Sequence, residues 1–298
     1  MKVNKVIKDT RSVREYKDKK IDTGVINQLL DDLNRNRALK KDIKMDFGFM
    51  DNGKEAFEKL DGLVGYFGKF IKAPHYIYIT SEVEDGYLEN AGYLGEELIL
   101  RATDLGLGSC WIEVSENISK VKDILDIQED RDIIGLLAIG YPKKGSKVAG
   151  MYDVKGKSVS PLTQYGYPNI DIKYADAPVS ERISIEDMAY IKDWGKKATI
   201  DDLENRGMAE VFYYMRLAPS WGNRQPWKFI IDGERIVLAV SKDEKITERT
   251  AKIEAGIAML YFELMIHQVG IPGGWILEKP EKNYNIPRSY FVAGYYRI

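Results

Sequence analysis

Two stretches of this chain can be laid over each other without a gap. Residues 91–112 (AGYLGEELILRATDLGLGSCWI) and 255–276 (AGIAMLYFELMIHQVGIPGGWI) share six identities in 22 positions: Ala-Gly at the start, Leu100 with Leu264, Gly106 with Gly270, and Trp-Ile at the end. Chance supplies roughly one, so the repeat is a feature of the architecture. Each copy reads as a helix stopped by glycine, whose freedom at positive φ suits the position after a helix end, and then an apolar return into a sheet. Residues 134–141 (IGLLAIGY) and 289–295 (SYFVAGY) read as closing strands. Between the copies, 161–182 is rich in Pro, Tyr, Asp and Ser without sustained periodicity, and reads as a connector. The expected organisation is repeat 1 over 1–162, a connector over 163–182 and repeat 2 over 183–298, together one compact unit.

Composition removes several classes of function. With 298 residues, 44% of them hydrophobic, the chain can bury a sizeable core. A formal charge of −2 offers a nucleic acid no electrostatic attraction. The start, MKVNKVIKDT, is too charged for a secretory signal. The most apolar stretch, 257–277, is broken by Glu263, His267 and Pro272, which argues against a membrane span and for a cytoplasmic protein. Cys110 is the single cysteine, which excludes an internal disulfide and a multi-cysteine zinc site. His75 and His267 lack ligand spacing, so no metal is expected.

Residues 218–227 (APSWGNRQPW) form an unusual loop. Pro219 and Pro226 fix φ, Gly222 permits a turn closed to other residues, and Ser220, Asn223 and Gln225 carry hydrogen-bonding groups on short stems. A rigid loop of donors and acceptors suits a flat ligand with polar edges. Before it, 209–217 (AEVFYYMRL) reads as the end of a helix; after it, 228–231 and 236–240 read as strands joined at Asp232-Gly233. Trp111, Trp227 and Trp275 stand where strands begin and read as core anchors.

The loop resembles the APS-x-x-N-x-QPW segment of the FMN-dependent nitroreductase family. Residues 10–16 (TRSVREY) resemble that family's N-terminal R-R-S-V-R-x-F/Y, with Thr10 in place of the first arginine. Residues 106–113 (GLGSCWIE) and 139–142 (IGYP) match two further family segments, so the likeness spans nearly the whole chain. Because the glycines of GLGS end a helix rather than open one, a dinucleotide-binding fingerprint is excluded. The resemblance implies an α+β, three-layer nitroreductase-like fold, a mainly antiparallel sheet flanked by helices, here in the single-chain, two-repeat branch.

It also implies an enzyme: an FMN-dependent NAD(P)H oxidoreductase reducing nitroaromatics, quinones or similar flat small-molecule acceptors by ping-pong hydride transfer through flavin N5. By the same resemblance Arg11 and Ser12 bind the phosphate, with Lys155 and Lys157 as a second basic pair. Arg14 lies at the pyrimidine edge, and backbone N–H groups at Ile112 and Glu113 reach N5. From repeat 2, Pro219, Ser220, Trp221 and Asn223 contact the ring and ribityl chain, with Gln225 bracing the loop. Reductive dehalogenation, flavin fragmentation and non-catalytic flavin binding share these motifs, and Thr10 keeps the last of them open.

The repeats have diverged in a complementary way. Repeat 1 keeps TRSVREY, but its stretch 34–52 is charged and lacks proline; repeat 2 keeps APSWGNRQPW, but its counterpart of the arginine segment, near 192–199, is unrecognisable. In homodimers of the family these two segments come from different subunits and meet on one flavin. A monomer acting as a pseudo-dimer, with one intact and one decayed FMN site, is therefore expected.

Overall fold

The computed structural model describes residues 2–33, 37–65, 70–114, 116–143, 148–153, 170–175, 182–244 and 246–298. In chain order the first half holds α1 (Val3–Asp9), α2 (Thr23–Leu33), β1 (Met45–Met50), α3 (Gly53–Leu60), β2 (His75–Glu82), α4 (Tyr87–Asp104), β3 (Gly108–Glu113), α5 (Ile118–Ile124) and β4 (Arg131–Gly140). A hairpin of β5 (Val148–Asp153) and β6 (Ile170–Ala175) follows. The second half holds α6 (Ile185–Met188), β7 (Ala189–Ile191), α7 (Ile200–Glu204), α8 (Ala209–Met215), β8 (Trp227–Asp232), β9 (Arg235–Ser241), α9 (Glu248–Gln268), β10 (Gly274–Ile276) and β11 (Tyr290–Arg297). The fold is the expected α+β one. Residues 170–175, within the stretch read as a connector, form β6, whose pairing with β5 is a long-range contact that they do not announce locally.

The first half forms a sheet in the order β1-β2-β4-β3, and the second forms β7-β8-β9-β11-β10. Leaving β7 aside, the two orders are the same: two adjacent antiparallel strands, a long helix, an edge strand, and a last strand returning between. The β7–β8 pair alone is parallel among the described ladders. The central strand β4 is buried along almost its whole length, which is why it reads as a continuous apolar run rather than an alternating one.

The long helices α4 and α9 lie at the centre and are buried on nearly every face, α9 most evenly. Thr247 caps α9, its side chain accepting from Thr250 N. Both helices end alike. Gly106 and Gly270 adopt φ of 76° and 83°. Leu107 N bonds Ala102 O while Gly106 N bonds Thr103 O, and Ile271 N bonds Ile266 O while Gly270 N bonds His267 O. Where the helices cross, a Cβ on Gly92 would strike the carbonyl of Ile253, and one on Gly256 the carbonyl of Glu89. The contact is reciprocal in the gap-free alignment, as in a two-fold interface. Around the crossing one core joins Val6, Tyr93 and Leu100 to α8, α9, β8 and β9. Trp111 lies against Gly95, Trp275 donates Nε1 to Met259 O, and Trp227 is fully buried.

Candidate functional site

The loop between α8 and β8 is held under conformational strain. Within four residues Gly222, Asn223 and Gln225 adopt φ of 60°, 57° and 51°. For the two non-glycine residues this costs on the order of 1 kcal/mol each and persists only where the surroundings over-determine it. They do. Asn223 N bonds Ser220 O at 3.0 Å, Gln225 N bonds Ser220 Oγ at 2.9 Å, and Gln225 Nε2 donates to Asn223 O at 3.2 Å. Gln225 Oε1 accepts from Ile183 N at 2.9 Å. Ser220 is a brace through its hydroxyl oxygen. Pro219, Trp221 and Asn223 are half-buried on the same loop.

A buried carboxylate and a half-buried guanidinium complete the clamp. Glu254, on α9, accepts from Trp221 N at 2.6 Å and from Arg224 Nη2 at 3.0 Å. Arg224 Nη1 also pairs with Asp243 at 2.7 Å. Burial pushes the Glu254 carboxyl up to about 7, opposed by Arg224 and Trp221 N and reinforced by the nearby Glu113. In the first half Asn90 stands at the aligned position and does the corresponding task. Lys40 N donates to Asn90 Oδ1 at 3.1 Å, and Asn90 Nδ2 donates to Lys40 O at 3.2 Å.

The arginine segment runs along the outer edge of β3. Ser12 bridges Ser109, and Val13 N bonds Ser109 O at 2.9 Å. Tyr16 bridges Pro142 and donates its hydroxyl to Val13 O at 2.6 Å. Glycine at the start of β3 and the end of β4 makes room: a side chain on Gly108 would strike Val13, and one on Gly140 would strike Pro74 and Tyr16. Arg11, Ser12 and Arg14 are exposed. Arg11 Nη1 donates to Lys8 O at 2.5 Å and Thr10 O at 2.6 Å, at the C-terminal end of α1. Thr10 turns inward, its hydroxyl donating to Val6 O at 2.8 Å with Thr103 Oγ1 3.2 Å away. Arg14 and the Ser12 hydroxyl both favour the Cys110 thiolate, yet burial dominates and pushes the thiol up.

The strand that carries the first segment and the loop that forms the second are both tied to α9. Thr250 Oγ1, in the first turn of α9, donates to Glu113 Oε1 at 2.9 Å, one turn before Glu254 holds the loop. Arg182 Nη1 donates to Ala218 O at 2.9 Å and lies within electrostatic reach of Arg11 and Arg216. Ile112 is buried in β3. Lys155 and Lys157 lie outside the described residues. The motifs do not point to Glu254, Arg224, Arg182 or Arg216. A signal for Glu254 exists all the same: in both copies of the repeat a polar residue precedes Ala-Gly, Asn90 in one and Glu254 in the other.

Among the described residues no cluster of potential metal ligands occurs, and no helix is long and apolar enough to cross a membrane. Comparison with known proteins agrees with this architecture. A crystal structure of a "putative nitroreductase" from Thermotoga maritima matches over 99% of this chain and 92% of its own, at 18% identity and a TM-score of 0.52. A curated relative from Methanothermobacter thermautotrophicus, named "Putative NADH dehydrogenase/NAD(P)H nitroreductase", is 22% identical over 161 residues, 51% of this chain and 84% of its own. An "FMN-dependent Nitroreductase" from Clostridium difficile matches 52% of this chain and 96% of its own at 23% identity, with a TM-score of 0.43. The family model described as "Putative TM nitroreductase" matches residues 2–177, more than half of the chain, and the protein therefore belongs to that nitroreductase family.

Proposed function

We propose that the protein is an FMN-dependent NAD(P)H oxidoreductase acting on nitroaromatics, quinones or similar flat acceptors, folded as an internal duplication with one flavin site per chain. The observation that carries this reading is that α9 holds both the 218–227 loop, through Glu254 and Trp221 N, and the end of β3, through Thr250 and Glu113, the arginine segment lying along the edge of that same strand. The duplication is supported by the shared strand order, the identical glycine caps and the reciprocal helix crossing.

The residues present suit a flavin mononucleotide. Exposed cations, Arg11 and Arg14, flank a short hydroxyl, Ser12, and the Ser109 hydroxyl behind them is buried without a hydrogen-bond partner. FMN, when bound, supplies the redox chemistry, accepting hydride from NAD(P)H and delivering it to the acceptor in a ping-pong cycle. Arg11, Ser12, Lys155 and Lys157 would hold the phosphate as charge-assisted donors. Arg14 would place positive charge at the pyrimidine edge and favour the reduced state. Backbone amides at Ile112 and Glu113 would face N5. Pro219, Ser220, Trp221 and Asn223 would present a rigid surface to the ring and ribityl chain, held in place by Gln225 and Glu254. No side chain is needed as a general base, since protons come from solvent.

Flavin released from purified protein, quantified against chain concentration and read beside sedimentation, tests the proposal. One FMN per monomeric chain, bleached by NAD(P)H without oxygen, is expected. Two flavins per chain would remove the one-site reading, and a flavin that NAD(P)H leaves oxidised would remove the enzymatic one.

A further inference from the structure

The edges of the two main sheets are unlike one another. β3 receives Val13 N at Ser109 O and Gly65 N at Glu113 O. β10 is three residues long. β7 is as short, and residues 196–198 lie along it, Ile191 N bonding Lys196 O and Ala198 N bonding Ala189 O. The remaining edge, β1, is six residues long, and no strand pairs with its outer side among the described residues. Its counterpart by strand order in the second half is β8, whose outer side is taken by β7 in parallel.

In an antiparallel ladder successive residues bond alternately to one side and the other. Glu82 N bonds Lys44 O, and the ladder then runs in unbroken register from Met45 opposite Ser81 to Met50 opposite Tyr76. Asp46, Gly48 and Met50 therefore bond β2, and the N–H and C=O groups of Met45, Phe47 and Phe49 point outward. Among the described residues no backbone hydrogen bond reaches these outward groups. The strand also lacks the devices that protect a sheet edge, since it contains no proline, no lysine and no bulge. Its one charge, Asp46, is paired with Arg131 at 2.6 Å.

We infer that the outer edge of β1 is an interface for a second copy of this chain, which pairs its own β1 antiparallel about a two-fold axis. With Phe47 opposite the second copy's Phe47 and Met45 opposite its Phe49, every outward N–H meets a carbonyl. Charge agrees with this register. Asp46 faces Gly48 and Lys44 faces Met50, so no like charges stand opposite each other. A two-residue shift one way would set Asp46 against Asp46, and the other way would leave Met45 beyond the end of the second copy's strand. A second copy is preferred to an unrelated peptide because the strand is its own complement in both hydrogen bonds and charge. A single strand edge buries less than the roughly 1,000 Å² of a stable interface, so the chain is a monomer when dilute and pairs when concentrated. The one-chain flavin site proposed above does not use this edge.

Sedimentation equilibrium from micromolar to millimolar protein, with amide exchange at both ends of that range, tests the interface. The mean mass should rise from that of one chain toward that of two and no further, because the pairing consumes both edges. Amides of Met45, Phe47 and Phe49 should exchange freely in dilute protein and slow several-fold when it is concentrated, while those of Asp46, Gly48 and Met50 stay protected throughout. Phe47→Pro removes an outward N–H and spares the bonds to β2, so it should abolish the rise in mass. Phe47→Ala loses the same side chain but keeps the N–H, and should retain the rise. If the proline variant fails to fold, amide exchange in the unaltered protein still decides. A single-chain mass at every concentration overturns the interface, as does a dimer whose three outward amides stay unprotected. Slow exchange of those amides already in dilute protein would show the edge covered within one chain, and overturns it too. A mass beyond two chains overturns the closed two-fold pairing.

Discussion

The loops leading into β1 and β8 are held by aligned residues on the two long helices, yet by different chemistry. Asn90 offers a neutral amide that both donates to and accepts from the backbone of Lys40, with a further contact from its Nδ2 to Met45 Sδ and no charge to balance. Glu254 can only accept, so it takes Trp221 N and requires Arg224, which in turn is shared with Asp243. The first clamp is simple and its loop carries no positive-φ residue among 37–44; the second holds three such residues within four. Strain of this kind survives only where surrounding contacts enforce it. The difference has a physical sense: a buried charge stands where the backbone must keep an unfavourable shape.

Breaking the second clamp should have the largest effect. Glu254→Ala leaves Arg224 with one carboxylate and Trp221 N with none, and removal of one member of a buried pair costs about 3–5 kcal/mol. Asn90→Ala should cost about 1–2 kcal/mol. Urea denaturation of both variants, with FMN titration, compares them; equal costs, or flavin loss in Asn90→Ala alone, would reverse the contrast. The helix crossing should then behave as its reciprocity requires. Gly92→Ala and Gly256→Ala each push a methyl into the facing carbonyl, and overpacking of this kind costs on the order of 1–3 kcal/mol. Thermal denaturation should show similar losses, whereas tolerance at one position would show that the two sides of the crossing are not equivalent.

Ser220→Ala removes the acceptor for Gln225 N, worth about 1 kcal/mol. Flavin affinity should fall several-fold while the melting temperature changes little, and unchanged affinity would make the brace irrelevant to binding. The pH dependence of stability turns on Glu96 on α4, whose aligned partner on α9 is Leu260. Glu96 is fully buried and accepts from Trp111 Nε1 at 2.9 Å and Tyr261 OH at 3.2 Å. Burial pushes its carboxyl up to about 8, those two donors opposing. The folded state therefore binds this proton more tightly than the unfolded one. The associated stability is complete below the ordinary carboxylate range near 4.5 and is lost as pH rises through 8. Glu96→Gln should flatten that decline in denaturation midpoints measured from pH 5 to 9; an unaltered slope would assign it to other groups, Glu254 first.

Much of this was legible in the order of residues. The helix α8, the strands β8 and β9 with Gly233 between them, the closing strands β4 and β11 and the glycine caps of α4 and α9 follow from local periodicity and turn chemistry. The strained loop was legible too, since two prolines and Gly222 leave few conformations to its backbone. The bonds of Gln225 within the loop, to Ser220 and Asn223, are of this local kind, whereas its bond to Ile183 is not. The repeat was visible because helix caps and strand starts need particular residues at particular spacings.

What depended on tertiary structure is of one kind: contacts between residues remote in the chain. The β5–β6 pairing, the seat of the arginine segment on the edge of β3, the Glu254–Arg224 clamp and the bond of Arg182 to Ala218 all join residues whose local patterns say nothing of one another. Local propensity and turn geometry act over a few residues, so they specify helices, caps and hairpins in the linear order of the chain. Burial of charge and its compensation depend on which surfaces meet, and that is decided only when the two halves pack across α4 and α9.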